Sequence, residues 1–165
     1  MPDSLSEAAL FELLSLECRI NDGVAHYCNA QGQLHREHGP AVECADGGSE
    51  WYQNNQLHRL DGPAVIHADG YRAWYQNGLR HRIDGPAVDR PDGYRAWYQN
   101  GQRHRLDGPA VACPDGYSAW CQNGQLHRAD GPAIENADGR CEWWLNGNQL
   151  TEAEWQRAVA RMGDV

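Results

Sequence analysis

The chain has 165 residues, a formal net charge of −9, and seven Trp, seven Tyr and eighteen Gly against a single Phe. This composition disfavours a deep core of Leu, Ile and Phe and indicates short strands and tight turns. All fourteen basic residues are Arg, which excludes lysine-dependent phosphate loops and Schiff-base chemistry, and the acidic balance opposes direct binding of nucleic acid or a membrane surface.

The N-terminal segment, residues 1–20, is predicted to be an amphipathic helix. Ser4 and Glu7 have the spacing of a capping box and precede the apolar residues Leu10 and Phe11. The segment is acidic and lacks the basic start and long apolar run of a secretion signal. Since no stretch of the sequence is apolar enough to span a membrane, we expect a cytoplasmic protein.

A repeat with a period of 23 residues follows, over residues 24–148. Each repeat contains a His-Arg pair, a Gly-Pro-Ala tripeptide and a Trp. The pairs begin at His35, His58, His81, His104 and His127, the tripeptides at Gly39, Gly62, Gly85, Gly108 and Gly131, and the Trp residues are Trp51, Trp74, Trp97, Trp120 and Trp143. A strict period of this length predicts stacked copies of one structural unit.

Two turn signals recur with the repeat, Asp-Gly and Asn-Gly, the latter replaced by Asn54-Asn55 at one position, and both tolerate the positive φ of a two-residue type I′ hairpin. The predicted cross-strand pairs are Tyr75–Arg80 across Asn77-Gly78, and Ile66–Ala73 across Asp69-Gly70. The segment 71–76 is then the central strand of a three-stranded meander. The unit ends at Gly85-Pro86, because proline has no amide hydrogen to donate to a ladder.

The fold that these signals predict is mainly β: an elongated antiparallel β-hairpin repeat sheet with short helices as caps at both ends. One of the aromatic columns is expected in its interior. The C-terminal cap is predicted over residues 151–163, since Thr151 and Glu154 complete a capping box and Leu150 and Trp155 have the positions of a hydrophobic staple.

The six Cys residues form no CxxC pair and do not recur with the repeat. Cys28 falls in the column of Trp51, and Cys121 in the column of Tyr98, so both are interpreted as replacements for packed aromatic residues. Reduced, buried thiols of a cytosolic protein are therefore expected.

The segments WYQNG, HRxDGPA and the closing EWWLNGNQLTEAEW resemble the MORN-like repeat proteins of phages, giant viruses and some bacteria. The resemblance covers residues 24–155. It implies a β-hairpin array used for binding, without assigned catalytic residues. The eukaryotic MORN pattern is richer in Gly and lacks the HRxDGPA half, so the lipid role proposed for that family is not carried over.

A binding surface is predicted where Tyr and Arg side chains share a face of the sheet, because these residue types are enriched in protein hot spots. The recurring His residues are interpreted as structural, since metal ligands converge on one point and Arg neighbours disfavour a cation. No metal or cofactor is expected. The candidate binding residues are Tyr75, Arg80, Arg82, Tyr98, Arg103 and Arg105, with Trp74, Trp97, His81 and His104 beside them.

These features predict a non-catalytic protein–protein interaction module. The resemblance to phage proteins adds a phage or mobile-element factor that binds and blocks a host protein, such as a defence nuclease. One alternative is a small-ligand module that holds a sugar, nucleotide or quaternary ammonium group in aromatic grooves between hairpins. Another is a structural spacer that self-associates, for example as a homodimer, through a sheet edge or the helices. The sequence contains no nucleophile, base and acid in a catalytic pattern, so no enzyme is predicted.

Overall fold

Short antiparallel strands are the main regular elements of the structure, a computed structural model that describes residues 17–162. The chain divides into two compact units, residues 1–79 and 80–165. Within each unit the same hairpin design recurs, and the last unit ends in a helix. The prediction of a mainly β fold of antiparallel hairpins with a short C-terminal helix is confirmed.

The strands of the first unit are β1 (Glu17–Asn21), β2 (Val24–Cys28), β3 (Val42–Glu43), β4 (Ser49–Glu50), β5 (Tyr52–Gln53), β6 (Gln56–Leu57), β7 (Val65–Ile66), β8 (Arg72–Ala73) and β9 (Tyr75–Gln76). Strand β10 (Leu79–Arg80) lies where the two units divide. The second unit contains β11 (Val88–Asp89), β12 (Arg95–Ala96), β13 (Tyr98–Gln99), β14 (Gln102–Arg103), β15 (Val111–Ala112), β16 (Ser118–Ala119), β17 (Cys121–Gln122), β18 (Gln125–Leu126), β19 (Ile134–Glu135), β20 (Cys141–Leu145), β21 (Asn148–Leu150) and α1 (Glu152–Met162).

Neighbouring strands of the main sheet are antiparallel in both units. Their order is β1-β2-β3-β4-β7-β8 in the first unit and β11-β12-β15-β16-β19-β20-β21 in the second. The other strands form small two-stranded hairpins, such as β5 with β6 and β13 with β14. Each complete repeat thus adds two strands to the main sheet and one small hairpin beside it.

The interior is built from small side chains. Ala residues of the Gly-Pro-Ala and Tyr-x-Ala-Trp segments are almost fully buried, and the Val or Ile that follows Gly-Pro-Ala packs with them. These residues are Ala41, Ala64, Ala73, Ala87, Ala96, Ala110, Ala119 and Ala133, with Val42, Val65, Val88, Val111 and Ile134. Of the aromatic columns, the Tyr98 column is buried in the second unit, at Tyr98 and Cys121, whereas the Trp column is half-buried. Small residues fill the space that larger aliphatic residues occupy in most cores.

The Asp-Gly turn contains one residue more than predicted. The observed pairs are Val65–Ala73 and Ile66–Arg72. The predicted pair Ile66–Ala73 is therefore wrong by one position. Gly70 has a φ of 93°, whereas Asp69 is not among the residues with positive φ, so the loop is a three-residue turn with Gly in the left-handed position. The Asp69 side chain completes the turn, because its Oδ1 accepts a hydrogen bond from the Tyr71 N–H at 2.9 Å.

The Asn-Gly turn has the predicted two residues and register. In the second unit Tyr98 pairs with Arg103, and Asn100 and Gly101 have φ values of 49° and 78°, as a type I′ turn requires. A single central strand over residues 71–76, however, is wrong.

Except in the last repeat, where Trp143 lies within the continuous strand β20, the Trp divides that segment into two strands. The Trp97 N–H donates to the Ala110 carbonyl of the main sheet at 2.8 Å, and the Trp97 carbonyl accepts from the His104 N–H of the small hairpin at 3.1 Å. The chain passes at this residue from one sheet to the other, because its two backbone groups pair in different directions.

The hairpin of the first repeat, which turns at residues 30–32, is shifted by one residue relative to the strict period. Tyr27 takes the place that Trp51 holds in the next repeat, since the Arg36 guanidinium carbon lies 4.0 Å from the centroid of the Tyr27 ring. The predicted match of Cys28 with Trp51 is therefore wrong. The cause is a loop of three residues, 30–32, where the next hairpin has a loop of two.

The N-terminal helix is predicted over residues 1–20, of which residues 1–16 lie outside the described residues. For residues 17–20 the prediction is wrong, because Glu17–Asn21 form strand β1. This strand pairs with β2 across Asp22 and Gly23, whose φ values of 49° and 79° are those of a type I′ turn.

The C-terminal helix α1 begins after Thr151, as predicted. The Thr151 Oγ1 accepts from the Glu154 N–H at 3.3 Å, and the Glu154 carboxylate accepts from the Thr151 N–H at 2.9 Å, which completes the capping box. Among residues 17–162 no helix is long and apolar enough to cross a membrane.

Trp155 attaches this helix to the last hairpin. Its ring lies 4.5 Å from that of Trp143, measured between centroids, and its indole N–H donates to the Arg128 carbonyl at 2.9 Å. The last repeat has Thr151 where earlier repeats have the Arg that covers their Trp. Trp155 therefore supplies the cover for Trp143 that the missing Arg would have given.

We expect the substitution Trp155→Ala to lower the free energy of unfolding by about 2 kcal/mol, less than for a fully buried Trp, because the ring is half-buried and its contact with Trp143 is lost. The neighbouring exposed Gln156→Ala should change it by no more than about 0.5 kcal/mol. Urea unfolding followed by circular dichroism measures both. Equal effects of the two substitutions would contradict the assigned role of Trp155.

Candidate functional site

An arginine holds together the bend of each repeat. In the second unit the Arg105 guanidinium carbon lies 4.0 Å from the centroid of the Trp97 ring. Its Nε donates to Asp107 Oδ1 at 2.9 Å and its Nη1 donates to the Pro109 carbonyl at 3.3 Å. The side chain is only 24% exposed. A stacked guanidinium with several fixed donors is a stronger fastener than an isolated surface ion pair.

The same arginines connect successive hairpins through the backbone. The Arg105 N–H donates to the Cys121 carbonyl of the following hairpin at 3.0 Å. The equivalent bonds run from Arg59 to Tyr75, from Arg82 to Tyr98 and from Arg128 to Trp144. One residue thus orders its own bend by the side chain and the next hairpin by the main chain.

Glycine follows each Asp of this bend because the guanidinium occupies the space above it. A Cβ atom placed on Gly108 would lie 2.9 Å from the Arg105 Cζ, which is closer than real Cβ contacts. The Arg-x-Asp-Gly-Pro segment is therefore a structural unit in which Arg105 and Gly108 depend on each other.

The recurring histidines contact the turn of the next hairpin. His104 Nδ1 lies 2.9 Å from Asn123 Oδ1 and 3.2 Å from the Asn123 backbone nitrogen. One ring nitrogen makes one of these bonds at a time: with the proton on Nε2 it accepts from the backbone N–H, and with the proton on Nδ1 it donates to Oδ1. This Nδ1 is thus committed to the turn. Residues 17–162 contain no cluster of three or more His, Cys, Asp or Glu side chains that could hold a metal ion.

Grooves open between consecutive arginine bends, which are Arg-x-Asp-Gly-Pro segments except at residues 36–40, where the sequence is Arg-Glu-His-Gly-Pro. The first unit contains one of about 460 Å³, and the second unit contains two, of about 550 and 460 Å³, which share the bend Arg105–Asp107. The floor of the larger groove carries Trp97, Gln99 and His104. Its walls are the bends 82–86 and 105–107. The neighbouring groove repeats this lining with Trp120, Gln122 and His127.

The groove walls carry large aliphatic side chains that the fold leaves in solvent. Leu60, Ile83 and Leu106, which occupy the x position of Arg-x-Asp-Gly-Pro, are 75%, 78% and 74% exposed. The carboxylates of Asp84 and Asp107, on the rim of the larger groove, are also turned to solvent, with side chains 84% and 85% exposed. The rim is thus apolar and acidic in alternation.

The groove floor presents hydrogen-bond donors. Within the described residues no acceptor lies within hydrogen-bond distance of the Trp97 indole N–H, the Gln99 amide or the second ring nitrogen of His104, and none of these atoms is fully buried. With the His104 proton on Nε2, all three groups can donate to a bound molecule.

Seven of the ten predicted binding residues form two groups within the second unit rather than one patch. Tyr98 is buried, with the Arg80 guanidinium carbon 5.4 Å from its ring centroid and the Arg103 Nε donating to its hydroxyl at 3.3 Å. This hydrogen bond is the main cause that raises the pKa of Arg103. Half-buried Tyr75 accepts from the Arg59 N–H through its carbonyl.

The second group lies at the larger groove of the second unit. Arg82, Trp97, His104 and Arg105 line the larger groove of the second unit. Three predicted residues belong to neither group: His81 bonds the turn at Asn100 in the manner of His104, and Trp74 and Tyr75 are half-buried in the first unit. The arginines expected to share one face are thus divided, since Arg80 and Arg103 gather at Tyr98 whereas Arg105 stacks on Trp97.

Sequence reasoning missed the wall and floor residues Ile83, Leu106 and Gln99. A signal was present, because an aliphatic residue recurs beside Asp-Gly-Pro, a turn sequence that has no need of one.

No protein-family model matches this sequence, and none of the curated proteins compared with it matches either. The resemblance to MORN-like proteins therefore stays a prediction, and the candidate site rests on its own geometry.

We expect Gly108→Ala to lower the free energy of unfolding by about 1 to 2 kcal/mol, because the new methyl group displaces Arg105 from Trp97. Arg105→Lys should also destabilise the protein, since an ammonium group cannot stack and donate in the same way. In the Arg105→Lys background the cost of Gly108→Ala should be smaller, because the slimmer side chain leaves room for the methyl. Urea unfolding of the four proteins of this double-mutant cycle measures the coupling, and additive effects would contradict it.

The bend carboxylates make stability depend on pH. Hydrogen bonds from Arg82 and Arg105, followed by their positive charge, lower the pKa of Asp84 and Asp107. A lowered folded-state pKa gives a stabilisation that is present above the ordinary Asp pKa of about 3.9 and is lost as the pH falls below it. We expect the double variant Asp84→Asn, Asp107→Asn to lose less stability than the unmodified chain between pH 5 and pH 2. Parallel acid unfolding curves for the two proteins would contradict this origin.

Proposed function

We propose that this chain is a non-catalytic protein-interaction module that holds a segment of a partner protein in the grooves between its arginine bends. The observation that carries the proposal is the recurrence of an exposed aliphatic residue at the same point of the repeat, at Leu60, Ile83 and Leu106, each about three-quarters exposed. Exposed aliphatic residues contribute little to folding and favour association. Their recurrence beside accessible donors supports a binding role.

The charge of the surface favours a basic partner. The four bends with the sequence Arg-x-Asp-Gly-Pro each direct an Asp carboxylate to solvent, whereas the side chains of their arginines are at most 25% exposed. The chain as a whole carries a formal charge of −9. Complementary charge would speed encounter with a segment rich in Arg or Lys and exclude acidic competitors.

We further propose that the chain acts in a host cytoplasm, as a phage or mobile-element factor. The resemblance to MORN-like proteins of phages supports a partner in a host cytoplasm, with a defence nuclease as one example of a protein to be blocked. The six cysteines, all free, suit a reducing compartment.

The test is affinity capture from lysate of the cells in which the chain acts. We expect the unmodified chain to retain a defined protein partner and the triple variant Leu60→Ser, Ile83→Ser, Leu106→Ser to lose it. A matched control is the double variant Ile20→Ser, Leu79→Ser, which alters aliphatic residues that are 72% and 50% exposed but line none of the three grooves.

Circular dichroism should show that all three proteins are folded. Retention of the partner by the triple variant, or its loss from the control, would overturn the assignment of binding to the grooves.

A further inference from the structure

We propose that the two consecutive grooves of the second unit bind a polyproline II peptide that carries a basic side chain at every third residue. This inference rests on the proposed function and names its ligand class. The grooves lie between the bends at Ile83, Leu106 and Ala129, and Leu106 is the wall that both share.

The spacing of the grooves selects the peptide conformation. Each repeat adds two antiparallel strands to the main sheet, so that β12 and β15 are followed by β16 and β19 in the strand order. Neighbouring strands are about 4.8 Å apart, so equivalent points of successive repeats are about 9.6 Å apart. A polyproline II helix has three residues per turn and a rise of about 3.1 Å per residue, which brings equivalent side chains about 9.3 Å apart.

Other regular conformations do not match this spacing. A β-strand places side chains on one face about every 6.8 Å, and an α-helix repeats about every 5.4 Å. Neither would present equivalent side chains to two successive grooves without a gap in its pattern.

The chemistry of the groove floor matches the same ligand. A proline-rich segment has carbonyl acceptors along its length and few N–H donors, and none of these carbonyls is bonded within the peptide. The larger groove offers donors at Trp97, Gln99 and His104. Proline-rich segments commonly bind in grooves lined by aromatic rings. Because the polyproline II helix is already rigid, the peptide loses little entropy on binding.

Charge sets the position of the basic residue. The Asp84 and Asp107 carboxylates use Oδ1 for the arginine of their own bend, at 2.9 Å in both cases, and their side chains are more than four-fifths exposed. Oδ2 of each carboxylate can therefore accept from an Arg or Lys of the ligand. Prolines at the two intervening positions would pack between Ile83 and Leu106.

Synthetic peptides test the inference by isothermal titration calorimetry at physiological salt. The probe is an acetylated and amidated peptide of four Pro-Pro-Arg triplets. We expect it to bind with a Kd at least about tenfold lower than that of a peptide of the same composition with the arginines contiguous. Four Gly-Gly-Arg triplets, which keep the charge spacing but not the rigid helix, should also bind at least about tenfold more weakly. A peptide of Pro-Pro-Glu triplets should not bind.

Substitutions in the protein test whether the peptide binds in the grooves. Leu106→Ser and Gln99→Ala should each weaken binding of the Pro-Pro-Arg peptide by about fivefold or more, whereas Ile20→Ser, at a site of similar exposure outside the grooves, should leave it unchanged. Both substitutions alter side chains that the fold does not need, so a folding defect does not confuse the result.

Equal binding of the periodic and contiguous peptides, or of the Pro-Pro-Arg and Gly-Gly-Arg peptides, would overturn the inference, as would absence of binding. In those cases a partner lost through Leu60, Ile83 and Leu106 would still support the proposed function with a different ligand. If neither the peptide binding nor the capture of a partner through these three residues is observed, both proposals are wrong.

Discussion

The contact between an arginine and an aromatic ring is the interaction on which this structure depends. The interior is made of Ala and Val, which bury little apolar surface per repeat, so each hairpin needs additional fastening. Arg105 supplies it by stacking on Trp97, bonding Asp107 and the Pro109 carbonyl, and giving its own N–H to the next hairpin. The conformation of one bend and the position of its neighbour are thereby set by the same residue.

The first and last repeats depart from the arginine pattern, yet each still covers its aromatic ring. In the hairpin of the first repeat, which turns at residues 30–32, an added loop residue shifts the aromatic column by one position. Tyr27 rather than Cys28 therefore contacts Arg36. In the last hairpin no Arg is present at residue 151, and the helix brings Trp155 to Trp143 instead. In both places an aromatic ring remains covered on one face, because an uncovered ring at the end of a repeat would leave apolar surface in water.

The grooves are a consequence of this fastening. Once the arginine lies on one face of the Trp, the edge of the indole with its N–H stays accessible, the Asp points outward and the x residue is lifted into solvent. Residues that build the bend, such as Arg105 and Gly108, are therefore inseparable from stability. Residues that only line the groove, such as Leu106 and Gln99, are free to define what binds there.

The amino-acid sequence by itself determined the features that depend on near neighbours along the chain. The repeat length, the Asn-Gly turns, the break at Gly-Pro and the capping box at Thr151 all follow from local conformational preferences. The pairing across Asp-Gly did not, because the same dipeptide fits loops of two and three residues, and Asp22-Gly23 and Asp69-Gly70 use one each. One residue of register moves every side chain to the other face. For that reason only the tertiary structure decided that Arg80 and Arg103 gather at Tyr98, that Arg105 covers Trp97, and that Ile83 and Leu106 form the walls of a groove.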